Sequence, residues 1–140
     1  MKIEEYKIEK DIAVMYTEAH SFPMGIKDAF DKLYSVLNGS TQRNFYGISS
    51  PQNNKEIIYK ACAEQITEGE GEKLGLKSML IPKGNYYCID LNNFKSNPMV
   101  IGKAFETILT QSDIDPEGFC LEIYGENPDT VKCLVRKISR

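Results

Sequence analysis

Two stretches of this chain are near copies of each other. Ser21-Phe22-Pro23-Met24-Gly25-Ile26-Lys27-Asp28-Ala29-Phe30-Asp31 is matched 75 residues later by Ser96-Asn97-Pro98-Met99-Val100-Ile101-Gly102-Lys103-Ala104-Phe105-Glu106, with six of the eleven positions identical. Leu33 and Ile108 then agree in kind. A period this long, present only twice, excludes a solenoid, which stacks many short units. It predicts two similar halves packed face to face about a pseudo-two-fold axis, with a ligand groove at their seam. Ser-x-Pro alone would mark only two helix starts of one type. The match continues beyond it into the apolar positions that a helix buries, and this favours duplication.

The expected organisation is a single domain over 1–140, with module one at about 1–68, a polar linker at about 68–75 and module two at about 76–140. The chain is long enough to bury a core, and 41% hydrophobic with 26% charged residues is ordinary for a globular protein. A net charge of -3, with no basic cluster interleaved with aromatics, argues against a nucleic-acid surface. No apolar run approaches the ~20 residues that cross a bilayer, and Met1-Lys2-Ile3-Glu4-Glu5 has no apolar leader core. A cytoplasmic location without membrane contact is therefore expected.

Cys62, Cys88, Cys120 and Cys133 are widely spaced, lack a C-x-x-C pair and each sit in an apolar stretch. They read as buried free thiols, and no metal or cofactor is expected. His20 is the only histidine. With no G-x-S-x-G, H-E-x-x-H or phosphate-loop motif, nothing designates a catalytic nucleophile.

The pattern along the chain is strand, helix, strand, strand, given twice. Residues 5–20 alternate as one long strand or a bent pair. Ser21-Phe22-Pro23 opens a helix whose Ile26, Phe30, Leu33 and Leu37 share a face, and Asn38-Gly39 caps it. Strands follow at 44–50 and 56–66, around a turn at Pro51-Gln52-Asn53-Asn54. Glu68-Gly69-Glu70-Gly71-Glu72-Lys73 reads as the linker. The second half has a strand over 76–91 broken at Pro82-Lys83-Gly84, a helix from Asn97-Pro98, and strands at 119–124 and 131–138. Turns at Asp115-Pro116-Glu117-Gly118 and Glu126-Asn127-Pro128-Asp129 flank the 119–124 strand. This order predicts an α+β protein: a tandem pseudo-two-fold repeat forming an antiparallel sheet with two helices on one face.

In Phe119-Cys120-Leu121-Glu122-Ile123-Tyr124 the side chains alternate across the sheet. Phe119, Leu121 and Ile123 suit the helix-covered face. Cys120, Glu122 and Tyr124 then face the groove, where a half-desolvated carboxylate favours a cationic or donor-bearing ligand. Eight tyrosines with no tryptophan supply flat, polar-tipped surfaces for planar or cationic guests. Tyr59 shares its strand face with the small Ala61 and Ala63, which leave room. Tyr86 and, on the 44–50 strand, Phe45 and Tyr46 complete the candidate ligand-binding set with Glu122, Tyr124 and Tyr59.

Three of these segments, in register, resemble the GyrI-like, or AraC-type, effector-binding domains. Tyr59-Lys60-Ala61-Cys62 resembles their Tyr-x-x-Cys strand, Ile81-Pro82-Lys83-Gly84-Asn85-Tyr86 their Ile-Pro-x-Gly-x-Tyr segment, and Leu121-Glu122-Ile123-Tyr124 their Glu-x-Tyr strand. The resemblance covers nearly the whole chain. It implies tandem strand-helix-strand-strand modules and a small-molecule pocket between them, with Glu122 as the pocket acid that meets cationic, often aromatic, compounds. The chain lacks the helix-turn-helix of regulator relatives and has Ile89-Asp90-Leu91-Asn92-Asn93 where the family often carries a His-x-Gly-like turn.

The resulting expectation is a stand-alone binding protein that senses or sequesters an amphipathic, cationic or planar small molecule. One alternative is a hydrolase of strained or electrophilic compounds, using Glu122 with Tyr86 or Tyr59. Another is a gyrase-inhibitor-like role with a protein partner, either gyrase or a separate regulator.

Overall fold

The computed structural model describes residues 1–38, 42–51, 56–125 and 127–138. Two strands, Glu4–Ile8 (β1) and Ile12–Glu18 (β2), lead to the helix Ile26–Val36 (α1) and the strands Phe45–Pro51 (β3) and Ile57–Glu64 (β4). The short helix Glu70–Lys73 (α2) follows, then Lys77–Ile81 (β5) and Gly84–Leu91 (β6). A 3-10 turn at Phe94–Ser96, the helix Met99–Ile108 (α3), Cys120–Tyr124 (β7) and Val131–Arg136 (β8) complete the chain. The predicted turn residues Gly39, Gln52, Asn53, Asn54 and Glu126 lie outside the described residues.

All eight strands form one antiparallel sheet in the order β1-β6-β8-β7-β3-β4-β2-β5. Exchanging β1–β4 with β5–β8 turns this order into its own reverse, which is the pseudo-two-fold repeat expected from the sequence. The axis crosses the central β3–β7 pair between Gly47 and Glu122, because Phe45 opposes Tyr124 and Ser49 opposes Cys120 on either side of them. The halves therefore meet edge to edge and not face to face. Pairing β3 with β7 satisfies backbone groups that would otherwise line two exposed sheet edges.

Chain connections force the sheet to curl. β1 and β2 stand six strand spacings apart in the order, about 29 Å if the sheet were flat. Only Glu9-Lys10-Asp11 joins them, a span of roughly 14 Å at most. β5 and β6 are likewise joined by Pro82-Lys83 alone, and the Lys83 amide donates to Asp11 Oδ1 at 2.8 Å, tying the two turns together. The enclosed inner face is a core of Ile8, Val14, Ile48, Ile81, Leu121 and Leu134, with Cys62, Cys88, Tyr46 and Tyr86.

The helices cover the outer face. α1 packs on β4 and β2, and α3 on β8 and β6. Met15, Ala61 and Ala63 lie beneath Ala29 and Leu33 of α1 and its C-cap Leu37, and Ile89, Cys133 and Val135 beneath Ala104, Phe105 and Ile108 of α3. Thr17 Oγ1 donates to the Ala29 carbonyl at 2.8 Å, fastening α1 to β2.

Three expectations change here. Cys120, Glu122 and Tyr124 belong to the helix-covered face, whereas Leu121 and Ile123, with Phe119, face the inner core. The aliphatic set fills the closed interior, and the helices settle over the small Gly47, Ala61 and Ala63, which let them approach. α1 begins at Ile26, after a turn through residues 22–25, with Gly25 as N-cap. In the second half Pro98 does stand at the start of its helix. Finally, the segment read as linker contains α2, whose Gly71 is buried close against β2 and β5: a Cβ there would meet Ser78 Oγ at 2.6 Å and Met15 Cβ at 2.9 Å.

All four cysteines are free thiols, with Cys62, Cys88 and Cys133 buried. Among the described residues no helix is long and apolar enough to cross a membrane, and no group of three or more His, Cys, Asp or Glu side chains could hold a metal ion.

Candidate functional site

Strand register creates the site. Glu122 and Tyr124, two residues apart on β7, project from the outer face. Opposite Glu122 on β3 stands Gly47, and one strand further on β4 pairs Ala61 with Gly47 and Tyr59 with Ser49. The Tyr59 ring crosses β3 over Gly47, where a Cβ would lie 2.0 Å from the Tyr59 hydroxyl and 2.7 Å from Glu122 Oε1. Only glycine leaves that passage open.

Through it Tyr59 Oη donates to Glu122 Oε1 at 2.9 Å. Tyr124 Oη donates to the same oxygen, and the two hydroxyls lie 3.5 Å apart. Glu122 is 6% exposed; Thr17 is the one other buried polar residue among the described residues. Burial pushes the Glu122 carboxyl above its ordinary range, and the hydrogen bonds from Tyr124 and Tyr59 pull against that rise. Burial, then the neighbouring Glu122 charge, raises both tyrosines. The phenols therefore keep their protons and act as donors.

An aromatic shell surrounds this trio. Phe22 stacks on Tyr59 at 6.0 Å, and Phe30 meets Tyr59 at 6.2 Å and the edge of Tyr124 at 5.7 Å. Phe94 packs on Tyr124 at 6.2 Å, and Tyr34 on Phe45 at 5.0 Å. Above them runs a groove of about 1220 Å³, bounded by α1, Phe45, the Phe94–Lys95 turn and the loop after β7. Its wall includes Phe30 and Tyr124 but neither Glu122 nor Tyr59, so the carboxyl lies beneath the aromatic wall.

The repeat does not duplicate the site. By register, the counterpart of Glu122 is Gly47, that of Tyr124 is Ser49, and that of Tyr59 is Val131. A near-symmetric frame thus carries, among the described residues, a single buried acid.

The structure brings together four of the six residues read from the sequence: Glu122, Tyr59 and Tyr124 in the trio, and Phe45 on the groove wall. Tyr46 and Tyr86 are elsewhere. Both belong to the inner core, both are pushed up to about 12 by burial, and the Tyr86 hydroxyl donates to the Pro82 carbonyl at 2.5 Å. Sequence reasoning missed Phe22, Phe30, Tyr34, Phe94 and Arg43. Phe30 and Tyr34 stand four apart on α1, a spacing that could have flagged an aromatic stripe. The others sit in irregular segments with no periodic signal.

No family model matches the chain, and no curated protein matches it. Among solved structures, the chain is similar to SAV2435 bound to tetraphenylphosphonium, with TM-score 0.71, 8% identity, and 99% of this chain and 95% of that one covered. It is similar to EcmrR in a complex with DNA, at TM-score 0.62 and 9% identity, covering 98% of this chain and 58% of that one. It is also similar to a hydrolase from Listeria innocua, at TM-score 0.56 and 13% identity, covering 96% and 89%. At these identities the likeness establishes the shared α+β fold. That one fold carries a ligand-bound protein, a DNA-bound protein and a hydrolase, so activity must be argued from the site.

Proposed function

We propose that the chain is a small-molecule-binding protein of the GyrI-like effector-binding type, which senses or sequesters a planar or cationic amphipathic compound in the outer groove. One observation carries this reading: a buried acid, held by two tyrosine hydroxyls, beneath an aromatic-walled groove of drug-sized volume. Phe30 and Tyr124 line the groove and bring aromatic surface to a cation. A ligand that draws the Tyr124 hydroxyl aside gains the Glu122 charge in a low-dielectric setting. The tetraphenylphosphonium on SAV2435 and the Glu122-x-Tyr124 motif on β7 support the same reading.

Titration calorimetry with tetraphenylphosphonium and the neutral triphenylphosphine oxide tests it. Glu122→Gln is expected to weaken the cation by about tenfold or more while moving the neutral compound less than about twofold. Equal losses for both compounds reject the charge role.

A second reading, acid–base hydrolysis of strained or electrophilic small molecules, is favoured by a carboxyl with raised proton affinity that shares one oxygen with two phenols. Incubation with cyclopropane-bearing electrophiles, followed by product analysis, is expected to show turnover that Glu122→Gln abolishes. No Glu122-dependent product would eliminate it.

A further inference from the structure

Three apolar residues in a row stand out of the surface just before α1. Phe22 is 41% exposed, Pro23 is exposed, and Met24, at 85%, is the most exposed large apolar side chain among the described residues. Pro23 and Met24 line the groove. One exposed apolar side chain is ordinary, but a run of three on the rim of a cavity marks a place where a ligand covers apolar surface. The repeat supplies a comparison. Met99, the counterpart of Met24, is 75% exposed but does not line the groove.

The backbone that carries Met24 is held in place. The Gly25 amide donates to the Ser21 carbonyl at 3.1 Å, and the Ile26 amide to the Pro23 carbonyl at 3.2 Å. A Cβ on Gly25 would lie 2.8 Å from the Ser21 oxygen, so the turn is closely wound. Phe22 stacks on the buried Tyr59 and pins the turn over the Glu122 trio. What remains free to move is the Met24 side chain, which is unbranched, has three rotatable bonds and ends in a polarizable thioether. Such a group can settle on aromatic rings of varied shape, and it has no charge to desolvate. Its neighbour on the wall, Lys27, is instead tied to Asp31 at 2.7 Å.

We infer that Met24 is a ligand-contacting residue of this groove, whose side chain folds over a bound aromatic cation and replaces water on the side that Phe30 and Tyr124 do not reach. The inference rests on the groove being the binding site and adds to that reading a contact from the open rim. Sulfur and ring then meet at the mouth of the groove, while the charge is met from below.

Oxidative labelling of the wild-type protein tests this without any variant. Hydrogen peroxide passes one oxygen atom to a methionine sulfur and leaves as water, and peptide mass spectrometry reads each sulfoxide separately. In the free protein Met24 and Met99 are expected to oxidise at similar rates, with the fully buried Met15 far slower as a check that the fold is intact. Saturating tetraphenylphosphonium is expected to slow Met24 about fivefold or more and to move Met99 less than about twofold. By calorimetry, Met24→Ala is expected to weaken tetraphenylphosphonium about fivefold, whereas Met99→Ala leaves it unchanged. Both side chains are exposed, so neither truncation opens a cavity in the core. A Met24 rate that bound tetraphenylphosphonium does not change, a slowing shared equally by Met99, or a Met24→Ala protein that binds like wild type overturns the Met24 assignment alone. Failure of tetraphenylphosphonium to bind overturns the assignment and the groove reading together.

Discussion

Gly47→Ala is expected to destabilise the protein by about 3 kcal/mol, roughly 10 °C in Tm for a chain of this size. The new methyl carbon would stand 2.0 Å from the Tyr59 hydroxyl and 2.8 Å from Tyr59 Cζ. Tyr59 cannot swing clear, because it is 1% exposed and wedged between Phe22 and Phe30. Either its ring shifts and Glu122 loses a donor, or α1 moves away from the sheet. Urea denaturation measures the cost. Tyr59→Phe in the same background removes the colliding oxygen, so the double variant should be more stable than the sum of the single changes by over about 1 kcal/mol. A Gly47→Ala protein within about 0.5 kcal/mol of wild type would show that Tyr59 is not locked across β3, and the site geometry would need rebuilding.

The second large effect is a pH dependence centred on Glu122. Burial lifts its carboxyl above the ordinary 4.5 in the folded chain, so over the interval between the two values the folded state holds more protons than the unfolded state. Its stabilising contribution is complete below the unfolded value and disappears as pH rises through the folded value. Glu122→Gln keeps an oxygen to accept from the tyrosines but carries no titrating proton. The variant should therefore exceed wild type in stability at pH 8, with the gap closing towards pH 4. Denaturation midpoints of both proteins from pH 4 to 8 provide the comparison, since all other titrating groups are shared. A gap that stays constant with pH would mean that Glu122 titrates normally. If the slope is present, a cation bound above the trio should hold Glu122 ionised, and cation affinity should climb with pH over the same interval.

The second effect and the proposed function rest on one property, a carboxyl that folding removes from water. Ligand binding and stability then oppose each other at one residue. The ionised form that a cation wants is the form the empty fold disfavours, a pattern common where a site is built for function at some expense of stability.

Much of this architecture was legible in the chain. The repeated Ser-x-Pro-Met…Ile…Ala-Phe segment foretold paired helices, and both copies place their alanine, Ala29 and Ala104, in the buried face. Alternation in Cys120–Tyr124 separated Glu122 and Tyr124 from Leu121 and Ile123, and Tyr59 was separated from Cys62 in the same way. Period-two patterning reports two faces, however, and carries no label saying which face takes the helices. With aliphatic and aromatic residues on both, the choice fell the wrong way until the curl of the sheet enclosed Leu121 and Ile48. Tyr46 and Tyr86 entered the candidate list for the same reason: a strand tyrosine reads alike whether it lines a groove or fills a core.

What the sequence alone determined, then, is local and periodic: the two-fold order of elements, the helix faces, and which strand residues share a side. Only the tertiary structure decided what depends on contacts between distant strands. Two-residue and three-residue connections between strands far apart in the sheet order made it curl. The β3–β7 register set Gly47 against Glu122, and residues 63 positions apart met as the Tyr59–Glu122 hydrogen bond. The physical reason is that side-chain periodicity is written residue by residue, whereas register and curvature come from backbone pairing between segments that carry no sequence record of their partners.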